Sequence, residues 1–353
     1  MIDKDLKGIK IKLISIIKLR RNKMKFKKLF LISIFVFVLL MANTVMTFAA
    51  TYEWSLASVL PESHPVHSSL EFFAERVSQN TDGEVEITIF AGGQLGEEQD
   101  YIEGLQLGTV DMAKVSSAPL GQFSESLQVL SLPFIFRDIE HQHAVVRGPI
   151  GKNLMSDLED HGFKGLSFFD AGFRSVTNTV RPIRKPEDLE GLQIRVMGSQ
   201  PLIETINAFG ATAVPMGQGE VYVALQQGVI DGWENNIPTV LTFNMQEVAE
   251  YYSYTRHVSI PDILIMRNDL FTDLDEETKE AIMDAAEATA IYQSSIWGDY
   301  VGQAKKELKE KGMIFNEVEN IKDFQKVVTP IYEKYGQQIP NGEKLIESIV
   351  NYE

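Results

Sequence analysis

Pro186-Glu187-Asp188-Leu189-Glu190-Gly191-Leu192-Gln193-Ile194-Arg195-Val196-Met197-Gly198 opens a run that continues through Met216-Gly217-Gln218-Gly219-Glu220-Val221-Tyr222 to Asp231-Gly232-Trp233-Glu234-Asn235-Asn236. This run decides the fold. Pro186 with Glu187 to Leu189 reads as a short helix, and Leu192 to Val196 as a strand. Pro201 to Phe209 is helical, Thr212 to Pro215 is short and extended, and Glu220 to Gln227 is helical again. Strand and helix alternating in this way predict a layered α/β architecture with a largely parallel sheet.

The same rhythm extends outward. Tyr52 to Leu60 reads as a first strand, and Leu70, Phe73, Ala74 and Val77 form the apolar stripe of a helix over Ser68 to Ser78. Asp82-Gly83 marks a turn before the alternating Val85, Ile87 and Ile89. Gly96 to Leu107 reads as helix, Val110 to Val115 as extended, and Pro133 to Arg137 leads to a helix after Asp138. Gly165 to Phe169 is a strand with Asp170 to Arg174 as its exit loop, and Tyr251 to Met266 crosses back toward the first half. A helix from Asp275 reaches the low 290s and can run on to Lys311, although Gly298 and Gly302 weaken a continuous rod. Such a length favours a brace between two domains. Phe324 to Val350 adds further helix.

Ligands in such sheets sit beyond the carboxyl ends of strands, where Arg195 falls. A guanidinium offers a planar fork that matches a carboxylate with two parallel hydrogen bonds. Arg174 lies in a loop after a strand, fit for a second positive contact. Asp231-Gly232 is a turn, and Asn235 and Asn236 beyond it can donate to a carboxylate and accept from a hydroxyl. Each residue also has an ordinary reading that the pattern leaves open: an ion pair for either arginine, a helix cap for either asparagine, and a core position for Trp233.

The chain has 353 residues, no cysteine and a formal net charge of -16. Lys25, Lys27 and Lys28, the apolar stretch Leu29 to Ala42 and the small residues around Ala49 read as a secretory signal, with a retained membrane anchor as the competing reading. Met24 is the more ordinary start, which makes the charged segment before it an upstream extension. Without residues 1 to 50 the chain has 22 basic against 47 acidic residues, a net of -25. Such a surface repels nucleic acid and anionic bilayers. The absence of cysteine excludes disulfides, thiolate catalysis and Cys-ligated zinc.

Enzyme signatures are missing too. His64 and His67 near Glu62, and the alternating His141 and His143, lack the spacing of a metal site. His64, after the first strand, remains a candidate ligand contact beside its reading as a surface turn. No Gly-x-Ser-x-Gly elbow, P-loop or GxGxxG opening is present. No catalytic residue, metal or cofactor is expected.

Taken together, Phe90-Ala91-Gly92-Gly93-Gln94-Leu95-Gly96, Leu105 to Asp111, Leu132-Pro133-Phe134, Pro186 to Arg195, Met216 to Gln227 and Asp231 to Asn236 resemble the DctP-like solute-binding subunits of TRAP transporters. The likeness covers nearly all of residues 53 to 345. It implies a two-domain periplasmic-binding-protein-like α/β fold with a hinged cleft and a long C-terminal bracing helix. The expected division is 51–173 plus 264–353 as domain I and 174–263 as domain II, after an N-terminal extension and signal over 1–50. By resemblance, Arg195 is the main carboxylate anchor, Arg174 supports it, and Asn235 is the asparagine of the Asp-Gly-x-Glu-Asn motif. His257 and Asp262 align with a segment lining the cleft, and Gln218, Glu220, Asn236, His64 and Ser117 complete the expected ligand-binding set.

Gln218 stands where sialic-acid receptors carry an aromatic, and Asn236 replaces the proline common after Glu-Asn. These departures point to a sugar acid such as a uronate or aldonate, with a C4-dicarboxylate or a small 2-oxo or 2-hydroxy acid as the alternative. The expected partner is a membrane permease driven by an ion gradient, served from the periplasm or extracytoplasmic face by a monomer. A sensor role in signalling is the rival of a different class.

Overall fold

A computed structural model describes residues 51–353 together with Lys18, Arg20, Arg21, Lys23 and Lys27. The apolar stretch and cleavage position read as a secretory signal lie outside the described residues. The strands are β1 (Tyr52–Ala57), β2 (Val85–Phe90), β3 (Met112–Ser116), β4 (Phe163–Phe169), β5 (Phe173–Asn178), β6 (Gln193–Val196), β7 (Thr212–Pro215), β8 (Gly232–Asn235), β9 (Tyr251–Ser259), β10 (Asp262–Arg267) and β11 (Ile314–Glu317). They form two sheets, one ordered β2-β1-β3-β10-β4 and the other β11-β9-β5-β8-β6-β7.

Local pattern explains most of these elements. Val66, Leu70, Phe73 and Val77 recur at helical spacing and are buried on one side of the helix Pro65–Asn80. Each such apolar side chain contributes about 1.5–3 kcal/mol by leaving water. Asp138 caps the helix Ile139–Arg147 by accepting from the His141 N–H at 2.7 Å. The stretch from β6 through the helix Gln200–Ala208 to β7 follows the alternation read from the sequence.

The sheets are mixed, which corrects the expectation of a largely parallel sheet. β1 pairs parallel with β2 and β3, and β6 with β7 and β8. β10 runs antiparallel to β3 and β4, and β5 antiparallel to β8 and β9. The cause is the double crossing between sheets, β4 to β5 and β9 to β10. Each crossing enters its new sheet without an intervening helix to restore direction.

Arg174 consequently lies on β5 and not in an exit loop, and Asn235 ends β8 and is not turn-borne. Gly172, at φ +62°, begins the first crossing. Asp170 just before it is held at both backbone groups by Gln293, whose Oε1 accepts from Asp170 N at 2.9 Å and whose Nε2 donates to Asp170 O at 2.8 Å.

Gln293 belongs to a single helix, Glu276–Glu310, of 35 residues and about 50 Å at 1.5 Å per residue. It packs on Pro65–Asn80 and β4 beside the first sheet and on the helix Ile237–Thr242 beside the second. It therefore braces both sheets of a two-domain α/β fold. Gly298 and Gly302 do not break it, and a Cβ at either meets nothing within 4 Å. Gly298→Ala and Gly302→Ala are each expected to raise stability by about 0.5–1 kcal/mol, because alanine loses less backbone entropy in a helix. Denaturant unfolding checks this; a loss of stability would mean that the helix needs the flexibility.

Candidate functional site

A cavity of about 400 Å³ lies where β3, β6 and β8 end and β10 begins. Of the residues read from the sequence as ligand-binding, Arg195, Arg174, Asn235, Asn236, Gln218, Glu220, Asp262 and His64 line it. His257 and Ser117 are not on its wall. His257 is fully buried behind Glu234, with Nε2 3.6 Å from Glu234 Oε2 and Nδ1 2.9 Å from the Thr255 hydroxyl. Ser117 is fully buried one residue past Ser116, which does line the cavity.

The two arginines have different partners. Arg174 is already paired: Nε and Nη2 donate to the Glu234 carboxylate at 2.5 and 2.8 Å, Nη2 also to Glu234 O at 2.6 Å, and Nη1 to Asn235 Oδ1 at 2.8 Å, which leaves one Nη1 N–H. Burial alone would push Glu234 up, but the Arg174 charge and its hydrogen bonds, with His257, hold this carboxyl down at about 2. The pair is neutral as a unit.

Arg195 is 2% exposed and makes no ion pair within 4.0 Å among the described residues. Its Nε and Nη2 donate to Met216 O at 2.9 and 2.7 Å, and Nη1 to Gln218 Oε1 at 3.2 Å. These neutral acceptors leave one N–H on each terminal nitrogen. Burial, and then repulsion by Arg174, push Arg195 down to about 10, with Glu234, Glu97 and Glu98 opposing. It stays charged at neutral pH in a setting that disfavours its charge. A bound anion relieves both effects.

Neighbouring amides extend the donor surface. Gln218 Nε2 is buried without a hydrogen-bond partner. Asn235 Oδ1 is occupied by Arg174 and by Asn236 N at 2.9 Å, which leaves its amide nitrogen as the available end. Asn236 Oδ1 caps Ile237–Thr242 through Thr239 N at 2.9 Å, so the ordinary helix-cap reading of this asparagine is part of its role.

The opposite wall is acidic and contains residues the sequence reading missed. Lys114, 2% exposed, donates to Asp262 at 3.0 Å and lies 3.5 Å from Glu98. Although burial opposes its charge, those two carboxylates raise its pKa. Burial raises the Glu98 pKa, against the pull of Lys114. Ser116 Oγ donates to Asp262 Oδ1 at 2.9 Å. The signal for Lys114 was a lone cation inside the apolar Met112–Ser116 strand, a position that is costly without a partner. Glu97, Glu98, Gln122 and Trp297, also on the wall, carried no local signal.

His64 is not a surface turn. It is 2% exposed, its Nδ1 accepts from Val66 N at 3.3 Å, and its Nε2 lies 3.3 Å from the Thr239 hydroxyl. Burial and then Lys114 hold its pKa well below the usual value. It is therefore neutral at pH 7, with its proton on Nε2 toward Thr239. Trp233, fully buried in a core cluster of the second domain, floors no cavity.

The arrangement can fix an anion at one end and hydrogen-bond neutral donors at the other. Comparison with known proteins agrees with such a receptor. The model of the bacterial extracellular solute-binding proteins, family 7 (DctP), matches residues 56–338. A solute-binding protein of Chromohalobacter salexigens is 35% identical over 311 residues, spanning 88% of this chain and 93% of its own. A TRAP periplasmic solute-binding protein from that species, solved with bound D-glucuronate, has a TM-score of 0.83 at 36% identity, covering 85% of this chain and 100% of its own. Another from Sulfitobacter sp. NAS-14.1, with bound β-D-galacturonate, has a TM-score of 0.82 at 35% identity, covering 85% and 99%. The chain therefore belongs to the DctP family of TRAP-transporter solute-binding proteins and is a receptor, not an enzyme.

Proposed function

We propose that this receptor captures a uronate or aldonate by its carboxylate and hands it to a TRAP-type permease driven by an ion gradient. In this reading it acts as a monomer outside the cytoplasmic membrane, exported by its N-terminal signal. The observation that carries the proposal is Arg195, a buried guanidinium on the cavity wall whose protein partners are all neutral. Arg195 binds the carboxylate, while Gln218 and Asn235 offer further donors. Lys114, Asp262 and Glu98 exchange hydrogen bonds with the sugar hydroxyls. The expected moving halves are 51–173 plus 264–353 and 174–263, joined at the crossings near Gly172 and Pro261, except that β11 (Ile314–Glu317) moves with the second half because it pairs with β9.

The polarity of the cavity favours one negative charge on the ligand. Arg174 is neutralised by Glu234 and Lys114 by Asp262 and Glu98, so a second carboxylate has no free cation to meet. The volume of about 400 Å³ sits toward the small end of the roughly 300–1,000 Å³ usual for small-molecule sites. Glucuronate and galacturonate in the related structures support the same class.

Mass analysis of small molecules released from the purified protein tests the proposal. A polyhydroxylated monocarboxylate is expected, and a C4-dicarboxylate would overturn it. Binding should also weaken by about tenfold or more when the far end of a hexuronate is oxidised to the matching aldaric acid, since like charges a few ångströms apart repel by more than 1.4 kcal/mol at the dielectric of a partly buried site. Competition titration measures the ratio; equal affinities would contradict the acidic-wall account.

A further inference from the structure

Glu97 contacts the segment that holds Arg195. This glutamate ends the turn before the helix Glu98–Leu107, beside the first sheet. One of its carboxylate oxygens accepts from Gln218 N at 2.7 Å and the other from Gly219 N at 2.9 Å, both beyond β7 of the second sheet. The contact joins positions 121 and 122 residues apart. Met216 O and Gln218 Oε1, in the same short segment, hold the Arg195 guanidinium.

The glycines flanking Gln218 make room for that carboxylate. A Cβ at Gly217 would stand 2.7 Å from Glu97 Cδ, and one at Gly219 would stand 2.7 Å from Glu97 Oε1. Asp100 Oδ2 accepts from Glu97 N at 2.8 Å and fixes the backbone that presents the side chain. Gln122 Nε2, also from the first-sheet side, donates to Gly198 O at 2.6 Å just past β6. The two contacts fall on the segments just past β6 and β7, the first of which carries Arg195.

We infer that Glu97 is a positioning residue that latches the cleft and holds the Met216–Gly219 segment, and with it Arg195, around a captured ligand. The inference rests on the proposed closure over an acid. Charge-assisted bonds to two backbone N–H groups are stronger than neutral ones. Because they cross the cleft, they stabilise the closed form alone. Their loss should therefore speed release while leaving capture by the open form unchanged.

Glu97→Ala removes the carboxylate, and Gly219→Ala displaces it without altering a cavity residue. Both are expected to raise koff for D-glucuronate or D-galacturonate by about 10- to 100-fold with the Tm of the unliganded protein unchanged, and Gly219→Ala, which keeps the charge, is expected to leave kon unchanged. Stopped-flow measurement gives the rates. Because the chain has no cysteine, spin labels at Leu107→Cys and Val223→Cys, both on exposed side chains, report the cleft separately. Wild-type protein should show a short-distance population that both variants deplete.

Unchanged koff and distances in both variants would overturn the latch. So would a wild type without any short-distance population, or a lowered Tm with unchanged distances, which assigns Glu97 a purely structural role. If the wild type binds neither uronate but its short-distance population still depends on Glu97, the ligand assignment falls and the latch stands.

Discussion

Arg195→Ala is expected to weaken binding of the acid by about 30-fold or more, with the Tm of the unliganded protein held within a few degrees. The affinity loss follows from removing a partly desolvated, charge-assisted pair, typically about 2–5 kcal/mol. The small change in stability follows from the partners of Arg195: Met216 O and Gln218 Oε1 border the cavity, where water can replace the guanidinium. No carboxylate is left without its cation. Arg195→Lys keeps the charge but not the fork and should fall between the two. Titration calorimetry with thermal melting separates the effects. A wild-type affinity in Arg195→Ala would remove this residue from the ligand.

Glu234→Ala should behave in the opposite way and lower Tm by roughly 5–15 °C even without ligand. Glu234 is fully buried and its two carboxylate oxygens are held by Arg174. Truncating it strands a buried guanidinium, which costs about 3–5 kcal/mol. The same pairing sets an acid dependence. The folded carboxyl is depressed from its ordinary 4.5 to about 2, so its stabilisation is fully present above about pH 4.5 and fades as the pH falls toward 2. In Glu234→Gln that part of the acid sensitivity should be missing. A melting profile against pH that matches wild type would contradict the assignment.

These opposite expectations mark where sequence and structure part. Most strand and helix identities over Thr51 to Gln227 were legible because apolar spacing is a local property, β5 being an exception, and Arg195 followed from a cation at the end of an apolar strand. The pairing of Arg174 was not legible. Glu234 lies 60 residues away and meets it only because β5 and β8 are neighbours with antiparallel register. Arg174 therefore looked like a second anion contact supporting Arg195, although it is already neutralised within the protein.

The same reason hid Glu97, whose partners are set by the closing of two sheets on each other. His257 and Ser117 lay in the right segments but faced inward: His257 takes the inner face of β9, and Ser117 begins the short helix Ser117–Leu120 just past β3. The long helix was underrated because Gly298 and Gly302 cost propensity, while packing on both sheets outweighs it.

The most direct measurement is titration calorimetry of the protein with D-glucuronate and D-galacturonate beside the matching aldaric acids and a C4-dicarboxylate. Capture of a sugar monoacid at Arg195 predicts saturable binding of at least one uronate, tighter than its aldarate and tighter than the dicarboxylate. Binding of the dicarboxylate in preference to every sugar acid would contradict it.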